Sequence, residues 1–154
     1  MSWLDDRYYP LADALAAVEL GGLARGARLV DDILKAAAVR VVLSEVYSGP
    51  RHLILIDGDV EALSRAYEVA LSVGADRVLD AMMLPHAHAS LKAALRGQMM
   101  INFDVDDAIL LVETETLAAT FRSVDAALKA VPVALANWRL GRGIAGRGVF
   151  ALRG

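Results

Sequence analysis

The sequence predicts an α+β protein: two consecutive copies of a split βαβ unit, each an antiparallel sheet with helices packed on one face, the second copy incomplete. Three observations carry this. The segment VELGGLARGARLVDDILKAAAV, starting at Val18, returns 94 positions later as VETETLAATFRSVDAALKAVPV, starting at Val112. Each copy then reads as strand, helix, strand, strand. Only the first goes on to a second helix and a last strand, which completes the split βαβ order.

The two copies match in one register without a gap. Val18, Glu19, Leu23, Ala24, Arg28, Val30, Asp31, Leu34, Lys35, Ala36 and Val39 recur as Val112, Glu113, Leu117, Ala118, Arg122, Val124, Asp125, Leu128, Lys129, Ala130 and Val133. Alanine and leucine matches are cheap in a chain that is 56% apolar, so the charged matches at Glu19, Arg28, Asp31 and Lys35 carry the weight. Self-similarity at a fixed offset marks a duplicated supersecondary unit.

Taken in order, the first copy opens with an apolar strand over 14–20. A helix follows, whose apolar stripe is expected at Leu23, Ala27, Val30 and Leu34 (i, i+4, i+7, i+11), with Arg25, Arg28, Asp32 and Lys35 directed elsewhere. Strands over 39–47 and 53–57 flank the turn Ser48-Gly49-Pro50. Asp59 is suited to cap a helix running to about Val73, with Leu63, Ala66, Tyr67, Ala70 and Leu71 on one face and Gly74 as its stop. A strand over 77–84 leads to Pro85, and a short helix over 89–95 follows. The second copy has a strand over 107–114, a helix with the stripe Leu117, Phe121, Val124 and Leu128, and strands over 133–140 and 149–152 around a glycine-rich turn, Gly141 to Gly148. The expected organisation is a tail at 1–13, a first unit at 14–96, a linker at 97–106 and a shortened second unit at 107–154.

The shortening poses a physical problem. The second helix buries about five apolar side chains in the first copy, at roughly 1.5–3 kcal/mol each. That sum rivals the ~5–15 kcal/mol that stabilises a whole domain. Either the sequence is a piece of a longer protein, the preferred reading, or another segment covers the bare sheet.

Composition narrows the function. The formal net charge is −3, against the basic face expected of a nucleic-acid binder. There are no cysteines, which excludes disulfides and thiolate chemistry and fits a reducing cytoplasm. The start, MSWLDDRYYP, lacks the basic and apolar regions of a signal peptide, and no apolar run is long enough to span a bilayer. No serine lies in an elbow motif, and the carboxylate pairs Asp31-Asp32 and Asp106-Asp107 read as solvated charge, so no catalytic residues are assigned.

The order of elements, with Val112-Glu113-Thr114 and Leu117 at a strand end and Asp125-Ala126-Ala127-Leu128-Lys129-Ala130 in the following helix, resembles the bacterial microcompartment (BMC) domain, a ferredoxin-like variant. The hairpin and helix from Ser44 to Leu63 resemble the same domain. Two copies in one chain resemble the tandem BMC shell proteins. The resemblance implies a structural protein, not an enzyme, without cofactor or metal. It implies a homotrimer that imitates a hexamer and tiles with shell hexamers and pentamers around enzymes in the cytoplasm, in contact with neither nucleic acid nor membrane. It also implies a central pore for small metabolites, lined by Ser48, Gly49 and Pro50 from one copy and by Arg142, Gly143, Ile144, Ala145 and Gly146 from the other. Lys35 and Lys129 match the family's edge lysine, and His86 and His88 fall where the family often carries Pro-Arg-Pro-His. Here the run is Pro85-His86-Ala87-His88, so the edge arginine is missing.

Other readings of these residues are weaker. Gly141-Arg142-Gly143-Ile144-Ala145-Gly146 has the spacing G-x-G-x-x-G, but a dinucleotide site needs a helix next, and a strand is expected. Arg142 in three copies would favour anions; alone it is a solvated arginine, and Arg51 and Arg147 invite the same two readings. His86 and His88 are too few ligands for zinc. His52 starts a strand beside the expected pore. Glu19 and Glu113 end their strands at matching points, suited to a subunit contact or to guarding a strand edge. The competing function is a trimeric ferredoxin-like regulatory protein that binds a small molecule between subunits.

Overall fold

The computed structural model describes residues 10–99 and 107–154. Most of the expected tail at 1–13 and of the linker at 97–106 lies outside the described residues.

The chain forms two antiparallel sheets. The first contains β1 (Ala14–Gly21), β2 (Arg40–Tyr47), β3 (Arg51–Gly58) and β4 (Val78–Leu84) in the order β2-β3-β1-β4. The second contains β5 (Ile109–Thr114), β6 (Ala134–Leu140) and β7 (Gly148–Arg153) in the order β5-β7-β6, which repeats β1-β3-β2. The helices are α1 (Leu23–Ala36), α2 (Val60–Gly74), α3 (Ala89–Leu95) and α4 (Leu117–Ala130). The duplication extends to irregularities. The β2–β3 register slips between Val41 and Leu43, and the β6–β7 register slips between Leu135 and Asn137, at the same 94-residue offset.

Asp59 caps α2 as expected, its carboxylate accepting from the N–H groups of Glu61 and Ala62. Gly74, expected as the stop of that helix, is its last residue and keeps helical dihedrals, and the positive φ falls on Ala75. Gly74 is small for a packing reason: a Cβ there would lie 2.6 Å from Val78 and 2.9 Å from Leu20.

The first sheet is covered on both faces. On one, α1 and α2 enclose Ala14, Ala16, Val18, Leu20, Ile54 and Ile56. On the other, Leu15, Ala17, Leu53, Leu55 and Met82 meet α3, α4 and the second sheet in one continuous core. The expected stripe of α4 lies in that core: Leu117, Phe121, Val124 and Leu128 are all buried.

The expected stripe of α1 requires correction. Its buried residues are Gly26, Leu29 and Ile33, whereas Leu23 is 50% and Leu34 49% exposed and Ala27 faces solvent. The α2 face also differs at one position, since Leu71 is exposed while Leu63, Ala66 and Ala70 are buried. α1 meets its own sheet through the face centred on Leu29 and Ile33, with Val30 half-buried beside it, so Leu23, Ala27 and Leu34 are left on the exposed side.

Helix and strand interlock in opposite senses in the two units. Gly26 on α1 lies over His52 on β3, where a Cβ would come within 2.0 Å of the imidazole Nδ1. The corresponding pair is Thr120 on α4 over Gly148 on β7, where a glycine Cβ would come within 1.8 Å of Thr120 Oγ1. The large residue sits on the strand in one unit and on the helix in the other. Close packing demands that only one of the two be large.

β5 is one edge of the second sheet, on the side where β4 adjoins β1 in the first. Ile109, Leu110 and Leu111 are exposed, Leu111 at 69%, and no described segment covers them.

Candidate functional site

Polar side chains join the two units in two regions: the paired hairpin loops and the seam between the units.

The loops lie together. A Cβ on Gly146 would come within 2.7 Å of the Arg51 side chain and 3.6 Å of the Ser48 carbonyl, and one on Gly141 would strike the Tyr47 ring at 2.2 Å. Ser48, Gly49 and Pro50 thus adjoin the loop that holds Arg142, Gly143, Ile144, Ala145 and Gly146. That loop is built from left-handed backbone: φ is 65° at Gly141, 74° at Gly143, 55° at Ala145 and 78° at Gly146. Glycine adopts this region without a Cβ penalty, which explains three of the four residues. β7 follows the loop directly, so no helix N-terminus is available to a pyrophosphate and the G-x-G-x-x-G reading has no structural basis.

Charge in the loops is paired. Arg142 reaches Glu45 at 3.3 Å, and Tyr47 donates to the same carboxylate at 2.8 Å. Burial, with Glu45 alongside, raises the Tyr47 pKa and keeps the phenol protonated. Arg147 contacts Glu113 at 3.1 Å and Glu115 at 3.2 Å. His52 Nε2 lies 2.8 Å from Ser44 Oγ, and burial lowers the histidine's pKa, favouring neutral imidazole under α1.

The seam is held by polar contacts around the α4 core. Glu19 is buried, and its Oε1 accepts from the N–H of Leu117, the first residue of α4, at 2.7 Å. Burial pushes its pKa up to about 7. Arg51 donates to the Glu115 carbonyl at 2.7 Å, and Thr116 donates to Asp80 at 2.5 Å. At the other end of α4, buried Asp125 accepts from the His88 N–H at 2.7 Å and from Lys129 at 2.5 Å, and Lys129 also donates to the His86 carbonyl at 2.5 Å. Lys129, His86 and His88 therefore come together at the seam. The His88 ring is directed to its own helix, accepting from Ser90 N–H. Lys35 stands apart on exposed α1, paired with Asp31 at 2.5 Å.

Sequence reasoning missed Asp125, Asp80 and Thr116. Asp125 carried a signal in its match with Asp31, but nothing along the chain distinguishes a buried aspartate from a solvated one. Among the described residues no three histidine, aspartate or glutamate side chains are placed to hold a metal, and no helix is long and apolar enough to cross a membrane.

This architecture is shared. The BMC domain model matches residues 14–87. A microcompartment protein from Desulfitobacterium hafniense superposes with a TM-score of 0.77 at 28% identity, covering 93% of this chain and 78% of its own. A double-ringed trimeric shell protein from the RMM microcompartment superposes at 0.69 with 16% identity, covering 96% of this chain and 77% of its own, a likeness of fold. The microcompartment shell protein PduT of Citrobacter freundii is 31% identical over 144 residues, 94% of this chain and 77% of that protein. Duplicated sheets, a repeated register slip and this degree of identity along nearly the whole sequence lead to one assignment: the chain belongs to the bacterial microcompartment shell proteins, in their tandem BMC-domain form.

Proposed function

We propose that three copies of this chain close into a ring of six BMC units, a trimer imitating a hexamer, and that the ring is a non-catalytic shell tile with a pore along its axis. Its units are 14–96 and 107–154, joined by 97–106. One observation carries the reading. The stripe of α4 is buried against the first unit, while the matching stripe of α1 is exposed at Leu23, Ala27 and Leu34. The sheet face that receives α4, carrying Leu15 and Ala17, is buried, while its match in the second unit, carrying Ile109 and Leu111, is exposed. Each chain thus has one such joint made and the two halves of another exposed, one on each unit. Repeating a head-to-tail contact closes a ring when the rotation permits.

In that ring the paired loops line the pore: Ser48, Gly49 and Pro50 with Arg142, Gly143, Ile144, Ala145 and Gly146. Arg142 is the more exposed member of its pair with Glu45, so the opening favours small anionic metabolites. Lys35, Lys129, His86 and His88 are assigned to the tile edge, where other shell hexamers and pentamers abut; three of the four also brace the seam.

Negative-stain microscopy of the purified chain, alone and mixed with shell hexamers, tests this. Hexagonal discs that join flat sheets support the reading. Discrete trimers that stay out of sheets and bind a small molecule saturably would contradict it.

A further inference from the structure

Glu19 and Leu117 form a contact whose two counterparts both exist in this chain and do not form it within one chain. Glu19 matches Glu113, and Leu117 matches Leu23. Within the chain, Glu19 closes the start of α4 across the seam. α1 begins differently. Its N-cap is Gly22, which provides no side-chain cap, whereas α4 is also capped by Thr116. The first N–H groups of a helix have no partner inside it and carry a partial positive charge. Glu113, meanwhile, is exposed at its strand end, and its partner among the described residues is Arg147 of its own unit.

A second contact repeats the pattern. Leu53 faces Glu19 across the strands and Val149 faces Glu113, so two residues back along each strand Arg147 is the counterpart of Arg51. Arg51 donates to the Glu115 carbonyl just before α4. The residue matching Glu115 is Gly21, just before α1.

We propose that Glu113 of one chain caps α1 of the next, accepting from the Leu23 N–H, while Arg147 donates to the Gly21 carbonyl of that same neighbour. This rests on the trimer reading above and names the polar clasp of its subunit joint. The occupant of the exposed α1 face is a second copy of this chain, because the internal joint already displays the complementary surface. Glycine at position 22 suits this arrangement: with φ at 112° it takes a backbone that a side chain would strain, and it leaves the helix start open to an incoming carboxylate.

The test compares wild type, Glu113→Gln and Glu113→Ala by sedimentation equilibrium, with amide hydrogen exchange at the first turn of α1. Wild type should be trimeric, with the Leu23 amide protected only in the trimer. Glu113→Ala should weaken association about tenfold or more and deprotect that amide. Glu113→Gln, which keeps an accepting oxygen, should retain most of both. Monomer thermal stability should be unchanged, since Glu113 is exposed. Trimers of unaltered affinity in Glu113→Ala, with Leu23 still protected, would overturn the clasp and leave the trimer standing. A wild-type chain that stays monomeric would overturn both.

Discussion

The Glu19 carboxylate accepts a hydrogen bond from the Leu117 backbone N–H across 98 residues of sequence, so a buried acid in the first unit fixes the start of the helix that docks the second. The contact concentrates the electrostatic cost of the seam in one group. Burial raises the Glu19 pKa from 4.5 to about 7. Between those values the folded chain holds a proton that the unfolded chain has lost. The contribution is therefore full below about 4.5, falls as pH rises towards 7 and levels off above. Glu19→Gln should match wild type near pH ~5 and exceed it near pH ~8 by on the order of 3 kcal/mol, while removing that slope. Urea unfolding at the two pH values measures the difference; a wild type that gains on the variant as pH rises contradicts it.

The two matched lysines should behave differently. Lys129 bridges buried Asp125 and the His86 carbonyl, whereas Lys35 makes one exposed bond to Asp31. Lys129→Ala should cost about 1–2 kcal/mol because it leaves a buried carboxylate without its cation. Lys35→Ala should leave the Tm of the isolated chain in place. Thermal unfolding of both variants checks this, and equal losses would place the two lysines in equivalent surroundings.

Gly26→Ala should destabilise the chain by about 2 kcal/mol even though alanine is the better helix former by up to ~1 kcal/mol, because the new Cβ overlaps the His52 ring. Adding His52→Gly reproduces the small-strand arrangement of the second unit and should restore most of the loss. A single variant as stable as wild type would show that the imidazole moves aside freely.

Much of this was legible in the sequence. The strand and helix order and the α4 stripe follow from patterns within a few turns, and the duplication from one repeat at a fixed offset of 94 residues. The α1 stripe did not, and the reason is physical. Leu23, Ala27 and Leu34 have helical spacing because they belong to a surface, but that surface faces away from their own sheet, and periodicity reports a face without saying what covers it. The exchange of Gly26 and His52 for Thr120 and Gly148 was equally hidden, since it requires knowing which strand residue lies beneath which turn of helix. Glu19 was read as a subunit contact or an edge guard, and its burial inside the chain was hidden because it depends on α4, whose start lies far along the sequence.

The exposed stripe leads to its own prediction. Leu34→Asp places a charge where Leu128 is buried in the matching helix. The isolated chain should lose less than about 0.5 kcal/mol, as expected for an exposed site, yet the variant should remain monomeric. Size-exclusion chromatography with light scattering reads the outcome, and a Leu34→Asp trimer would exclude this face from the joint.

Two BMC units in one chain should place their hairpin loops around a common threefold axis. Single-particle electron microscopy of the purified assembly measures this most directly. The expected result is a six-lobed disc with threefold symmetry, its hole ringed by Ser48–Pro50 and Arg142–Gly146 from three chains. A monomer, a twofold dimer, or a ring with those loops on its outer rim would contradict it.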